Sequence, residues 1–75
     1  MYFADIVIHI DETLDDVHVS GLERVLGREK GVYEANVHKE SRHLLFVDFD
    51  PDRVEPMHIV RSVRAQGLHA EMIHL

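Results

Sequence analysis

The order in which apolar spacing switches between two residues and 3.6 residues limits this chain to very few folds. Residues 2–10 alternate, with Ile6, Ile8 and Ile10 on one side and Asp5, Val7 and His9 on the other, as in a strand. After Asp11-Glu12, Thr13 stands at a helix N-cap position and Asp16 follows three residues later, a capping-box spacing with acids in the first turn. Leu14, Val17, Gly21, Val25 and Leu26 recur at helical spacing up to Gly27, which predicts a helix over 14–26. Gly31 opens a second extended stretch, 32–38, and the polar turn Lys39-Glu40-Ser41-Arg42 joins it to a third, 43–49, making a hairpin. Asp50-Pro51 ends that strand. Glu55-Pro56 puts proline in the first turn of a second helix carrying Ile59, Val60 and Val63, and after Gly67 residues 68–75 read as a final strand.

Strand, helix, strand, strand, helix, strand is the split βαβ order. It predicts an α+β, ferredoxin-like βαββαβ fold: a four-stranded antiparallel sheet with two helices on one face. No repeat, linker or low-complexity segment interrupts it, so residues 1–75 are expected to form a single domain. A chain this short buries only about 60% of its unfolded surface, so its core is thin.

Fourteen acids against eight bases give a net charge of −6, which repels phosphate backbones and anionic lipid, so nucleic acid is not an expected partner. The apolar stretch at 6–10 is broken by His9 and far too short for a membrane span, which leads to the expectation of a cytoplasmic protein without membrane insertion. The chain has no cysteine, which removes disulfides, thiolate catalysis, iron–sulfur ligation and sulfur-bound zinc. Ser20, Ser41 and Ser62 sit in no nucleophile motif and no glycine-rich phosphate loop is present, so the chain is not expected to be an enzyme.

Four blocks carry a family resemblance: Ile6-Val7-Ile8-His9-Ile10; Leu22-Glu23-Arg24-Val25-Leu26 followed by Gly31-Val32; Val47-Asp48-Phe49-Asp50-Pro51; and Ile59-Val60-Arg61-Ser62-Val63 leading to Gly67-Leu68. In these the chain resembles the heavy-metal-associated domains, the family of copper chaperones, mercury-binding proteins and N-terminal modules of metal-pumping ATPases. The resemblance implies a metal-binding or metal-trafficking role. It also aligns the family's two metal-binding cysteines, spaced Cys-x-x-Cys, with Asp15 and His18, the methionine before them with Thr13, and the residue that covers the metal with Leu68. Both cysteines are replaced, so the chain departs from the family where soft metals are held.

Asp15 and His18, three residues apart on one helix face, offer a carboxylate and an imidazole to a single cation. Such donors suit a divalent borderline ion (zinc, cobalt, nickel or copper(II)), with Asp16, Asp11 and Glu12 as further candidate ligands. The alternative stands beside it: Asp15 and Asp16 complement the helix N-terminus, and His18 is a solvated surface residue. Seven histidines are scattered at 9, 18, 38, 43, 58, 69 and 74. With the last strand antiparallel to the first, His9 and His69 are expected close together on the sheet face away from the helices, as secondary metal candidates or as solvated side chains. His38 and His43 flank the hairpin turn and are expected to oppose each other.

The same alternation puts Val7, Leu44, Phe46 and Ile73 on that open face with Asp5, Asp48 and Glu71. Exposed apolar side chains there point to a protein partner or a second copy of the domain, so a metal-free interaction module is the alternative function.

Overall fold

The computed structural model describes residues 3–73. Its elements are β1 (Ala4–Ile10), α1 (Asp16–Gly27), β2 (Val32–Val37), β3 (Leu44–Phe49), α2 (Pro56–Arg64) and β4 (Ala70–Ile73). The strands form one sheet in the order β2-β3-β1-β4, and every neighbouring pair is antiparallel. This is the α+β ferredoxin-like arrangement that the periodicity predicts. The flanking strands are shorter than expected, and Tyr2, His74 and Leu75 lie outside the described residues.

Alternation in the strands sorts the side chains cleanly. Ile8, Ile10, Ala35, Val37, Leu45, Val47, Phe49 and Ala70 meet Leu22 and Leu26 of α1 and Ile59, Val60 and Val63 of α2 in one buried cluster. Both helices therefore cover the same face, and burial of this apolar stripe is the main favourable term in folding. Helix α2 starts with Pro56 in its first turn, where the missing N–H costs nothing. Helix α1 starts two residues later than expected because Asp15, not Thr13, is its N-cap: the Asp15 carboxylate accepts the His18 N–H at 2.8 Å. The buried stripe of α1 runs through Val19, Leu22 and Leu26, so Val17 falls outside it and is 78% exposed.

An outer strand presents unpaired backbone groups that invite aggregation. Here β2 is blunted by an irregularity between Val32 and Glu34 and by Glu23 of α1, whose carboxylate accepts the Val37 N–H at 2.8 Å. The opposite edge, β4, is only four residues long.

Candidate metal centre at the helix one N-terminus

The loop between β1 and α1 and the loop before β4 meet at one end of the molecule, and all the candidate ligands lie there. Asp15 uses one oxygen twice. Its Oδ1 accepts the His18 backbone N–H and also lies 2.6 Å from His18 Nδ1, so this nitrogen carries the proton and donates it. These two hydrogen bonds, first the backbone and then the side-chain one, hold the Asp15 carboxyl below its ordinary range. With Nδ1 committed, the other ring nitrogen, Nε2, is left as the outward donor atom of an imidazole whose side chain is 70% exposed. A carboxylate behind one imidazole nitrogen, with the other nitrogen free, is how metal-ligating histidines are oriented.

The remaining candidates are turned elsewhere. Asp16 Oδ1 lies 2.6 Å from Arg42 Nη2, and Arg42 Nη1 also donates to the Leu14 carbonyl at 3.3 Å, so Asp16 ties the hairpin to the helix start. Asp11 Oδ1 sits 3.3 Å from His9 Nδ1. Among the described residues, no three His, Asp or Glu side chains converge as a metal-holding group.

His9 and His69 are not paired. His9 stands opposite Glu71, and His69 is one step further along, its carbonyl accepting the Asp11 N–H at 2.9 Å. They are diagonal neighbours, two residues apart in the β1–β4 register. The His9 ring instead stacks on His43, with centroids 6.0 Å apart. His43 Nδ1 donates to the Ile10 carbonyl at 2.9 Å and its Nε2 lies 3.3 Å from Thr13 Oγ1, so the residue read as a cap is a neighbour of this imidazole. His38 and His43 do not oppose each other either. The His38 N–H bonds the Leu44 carbonyl, and its Nδ1 accepts the Glu40 and Ser41 N–H groups at 3.1 Å each, closing the turn.

Glu12 and His69 form a two-point latch between the two loops. Glu12 Oε1 accepts the His69 N–H at 2.9 Å, and Oε2 lies 2.7 Å from His69 Nδ1. The side-chain bond from His69, then its backbone bond, lower the Glu12 pKa, and the bond to Glu12, then its charge, raise that of His69. The lowered carboxyl contributes stability above its ordinary 4.5 that is lost as pH falls through the folded value. The raised imidazole contributes stability below its ordinary 6.5 that is lost as pH rises through the folded value. Thermal melts of the wild type and Glu12→Gln are therefore expected to differ most across pH 4.5–6.5 and to converge on both sides. A gap that widens steadily into alkaline pH would contradict this pairing.

A second polar cluster lies at the far end. Glu29 accepts from Ser62 Oγ at 2.8 Å and lies 3.3 Å from His58 Nε2, and these bonds, Ser62 first, lower its pKa. The serine hydroxyl faces the Glu29 carboxylate and the His58 carbonyl, not the imidazole. This cluster ties α2 to the segment after α1.

Over 91–97% of its length the chain superposes on several small proteins and domains of known structure. It is similar to a copper binding domain from HMA7, a P-type ATPase (TM-score 0.84, 23% identity, 93% of each chain). Oxidized MerP from Ralstonia metallidurans CH34 matches with TM-score 0.85 at 11% identity over 97% of this chain and 100% of that one. The apo copper chaperone of Enterococcus hirae matches with TM-score 0.77 at 25% identity over 91% and 98%. No family model matches the sequence. No curated protein matches it either. The resemblance read from the four sequence blocks is thus a resemblance of the entire fold: the chain has the ferredoxin-like architecture of the heavy-metal-associated domains and carries it without their cysteine pair.

Proposed function

We propose that this chain is a non-enzymatic metal-binding or metal-trafficking module in which the Asp15–His18 pair takes over the place of the family's cysteines. The observation that carries the reading is the 2.6 Å contact from Asp15 Oδ1 to His18 Nδ1, which leaves His18 Nε2 outward as a nitrogen donor. Imidazole with a backing carboxylate suits zinc, cobalt, nickel or copper(II) and does not suit copper(I) or mercury, which prefer thiolates. One imidazole makes a weak site, so water or donors from a partner complete the coordination. The recess beside His18, lined by Leu14, Val17, Gly21 and Leu68, gives such a partner an apolar rim. Asp11, Asp16, His9 and His69 are further donors only if they release their present partners.

Calorimetric titration with zinc, cobalt, nickel and copper(II) at about pH 7.5 tests this. One equivalent is expected, with at least about tenfold (about 1.4 kcal/mol) weaker binding in His18→Ala. Asp15→Asn keeps the helix cap and so separates ligand loss from unfolding. Equal binding by wild type and His18→Ala, or silence with every ion, would reject the site. Silence would favour the second reading, a metal-free interaction module, which the lack of three converging donors among the described residues supports.

A further inference from the structure

The face of the sheet away from the helices is organised in rows. Phe3 and Tyr33 meet edge to face at 6.4 Å and are 55% and 46% exposed. Beside them Asp5, Asp48 and Glu34 stand directly opposite one another across β1, β3 and β2. The next row is Ile73, Val7 and Phe46, also in direct register. Val7 is buried there, because Ile73 and Phe46, 37% and 40% exposed, flank it. Only the flanking pair is wet, whereas the alternation alone leaves Val7 exposed as well.

Like charges directly opposite in a sheet repel, and this row stacks three carboxylates with Asp48 half-buried in the middle. None of the four strands contains a lysine or arginine to stand opposite them. Among the described residues no carboxylate of this row takes part in an ion pair. A metal ion is not what the row fits, because its members do not converge on a common point. What it lacks is cationic side chains arriving from outside, between apolar ones.

We propose that this face docks an extended protein segment carrying arginine between two apolar residues at alternate positions. The rows begin at Phe3, Asp5 and Val7, two residues apart along β1 and the residue before it. Side chains on one face of a partner strand repeat with the same spacing, about 6.6 Å. An arginine at the middle position reaches the Asp5–Asp48–Glu34 row, where its fork matches carboxylates, and lies against the rings of Phe3 and Tyr33. Apolar neighbours on either side cover Phe46 with Ile73 and the Phe3–Tyr33 edge. This surface is separate from the His18 loop, so the docking stands or falls independently of metal binding.

A random dodecapeptide display library selected on the immobilised domain, with Asp48→Lys as parallel bait, tests the proposal. Peptides with arginine or lysine between alternating apolar residues are expected to be enriched at least about tenfold on the wild type and not on Asp48→Lys (about 1.4 kcal/mol of discrimination). Amide shifts from an enriched peptide are expected at Asp5, Val7, Phe46 and Asp48. The variant should be more thermostable than the wild type, by about 5 °C, because its lysine pairs with Asp5 and Glu34. That gain would mark a stability cost kept for binding. Glu34→Lys, at the sheet edge, serves as a second bait should the first misfold. Equal enrichment on all baits, or shifts confined to the helices, would overturn the proposal. So would a peptide-free dimer protecting the same amides, since the occupant would then be a second copy.

Discussion

Replacing Phe49 with alanine is expected to remove about 3–5 kcal/mol of stability, the cost of emptying a large aromatic site in a well-packed core. Phe49 is 1% exposed, ends β3, stands opposite both Ala4 and Val32, and is the largest fully buried side chain. Domains hold roughly 0.05–0.15 kcal/mol per residue, about 4–11 kcal/mol for a chain of this length, so the loss runs from about a quarter of its stability to all of it. At roughly 4–8 °C per kcal/mol, the melting temperature should fall by about 12–40 °C, measurable by circular dichroism. Phe46 is the matched control, three residues away on the same strand but on the opposite face. Its ring is 40% exposed, so Phe46→Ala is expected to cost about 1 kcal/mol, mainly by uncovering Val7. A larger loss for Phe46→Ala than for Phe49→Ala would mean that the faces of β3 are exchanged.

That contrast rests on something the sequence states openly. One buried face forces strict alternation, and a slip of one residue would expose Ile8, Leu45 and Val47 together, so the register of the central strands is over-determined. The grouping of Val7, Phe46 and Ile73 on the open face was legible for the same reason. The row of Asp5, Asp48 and Glu34 was only partly so, because Glu34 reaches it through the irregularity after Val32, which no period reports.

The candidate site was less legible, and for identifiable reasons. Thr13 and Asp15 are both sound N-caps two residues apart, and the choice depends on whether Thr13 Oγ1 is spent on His43, a residue thirty positions away. Asp15 and His18 satisfy an i, i+3 spacing equally as metal donors and as a cap with its own hydrogen-bonded neighbour, so spacing alone could not tell ligand from cap. His9 and His69 are diagonal neighbours and not directly opposite, because β4 pairs Glu71 with His9, a register that alternation alone does not specify. Arg42 with Asp16 and Glu23 with Val37 are long-range polar ties between helix and hairpin, which leave no periodic trace.

Gly31→Ala is expected to destabilise the domain by about 2–4 kcal/mol, combining left-handed strain with overpacking. Gly31 has φ +91°, and a Cβ there would meet Arg53 Cβ and Val54 Cγ1 at 3.0 Å and Val54 Cβ at 3.2 Å. The Gly31 carbonyl accepts the Asp50 N–H at 2.7 Å, and the Asp50 carbonyl in turn accepts from Arg53 and Val54, so the turn after β3 is clamped onto this glycine. Gly67 separates the two causes: its φ is +84° but a Cβ would meet nothing within 4 Å, so Gly67→Ala should cost only the strain, about 1–2 kcal/mol. Gly21, inside α1 with open space around it, should gain about 0.5–1 kcal/mol as alanine. Denaturant midpoints falling in the order Gly21→Ala, wild type, Gly67→Ala, Gly31→Ala would establish that crowding against Val54 adds to the backbone strain. Equal losses at 31 and 67 would leave strain as the sole cause, and the glycine before Val32 would then be demanded by the turn alone and not by the close approach of the β3–α2 loop.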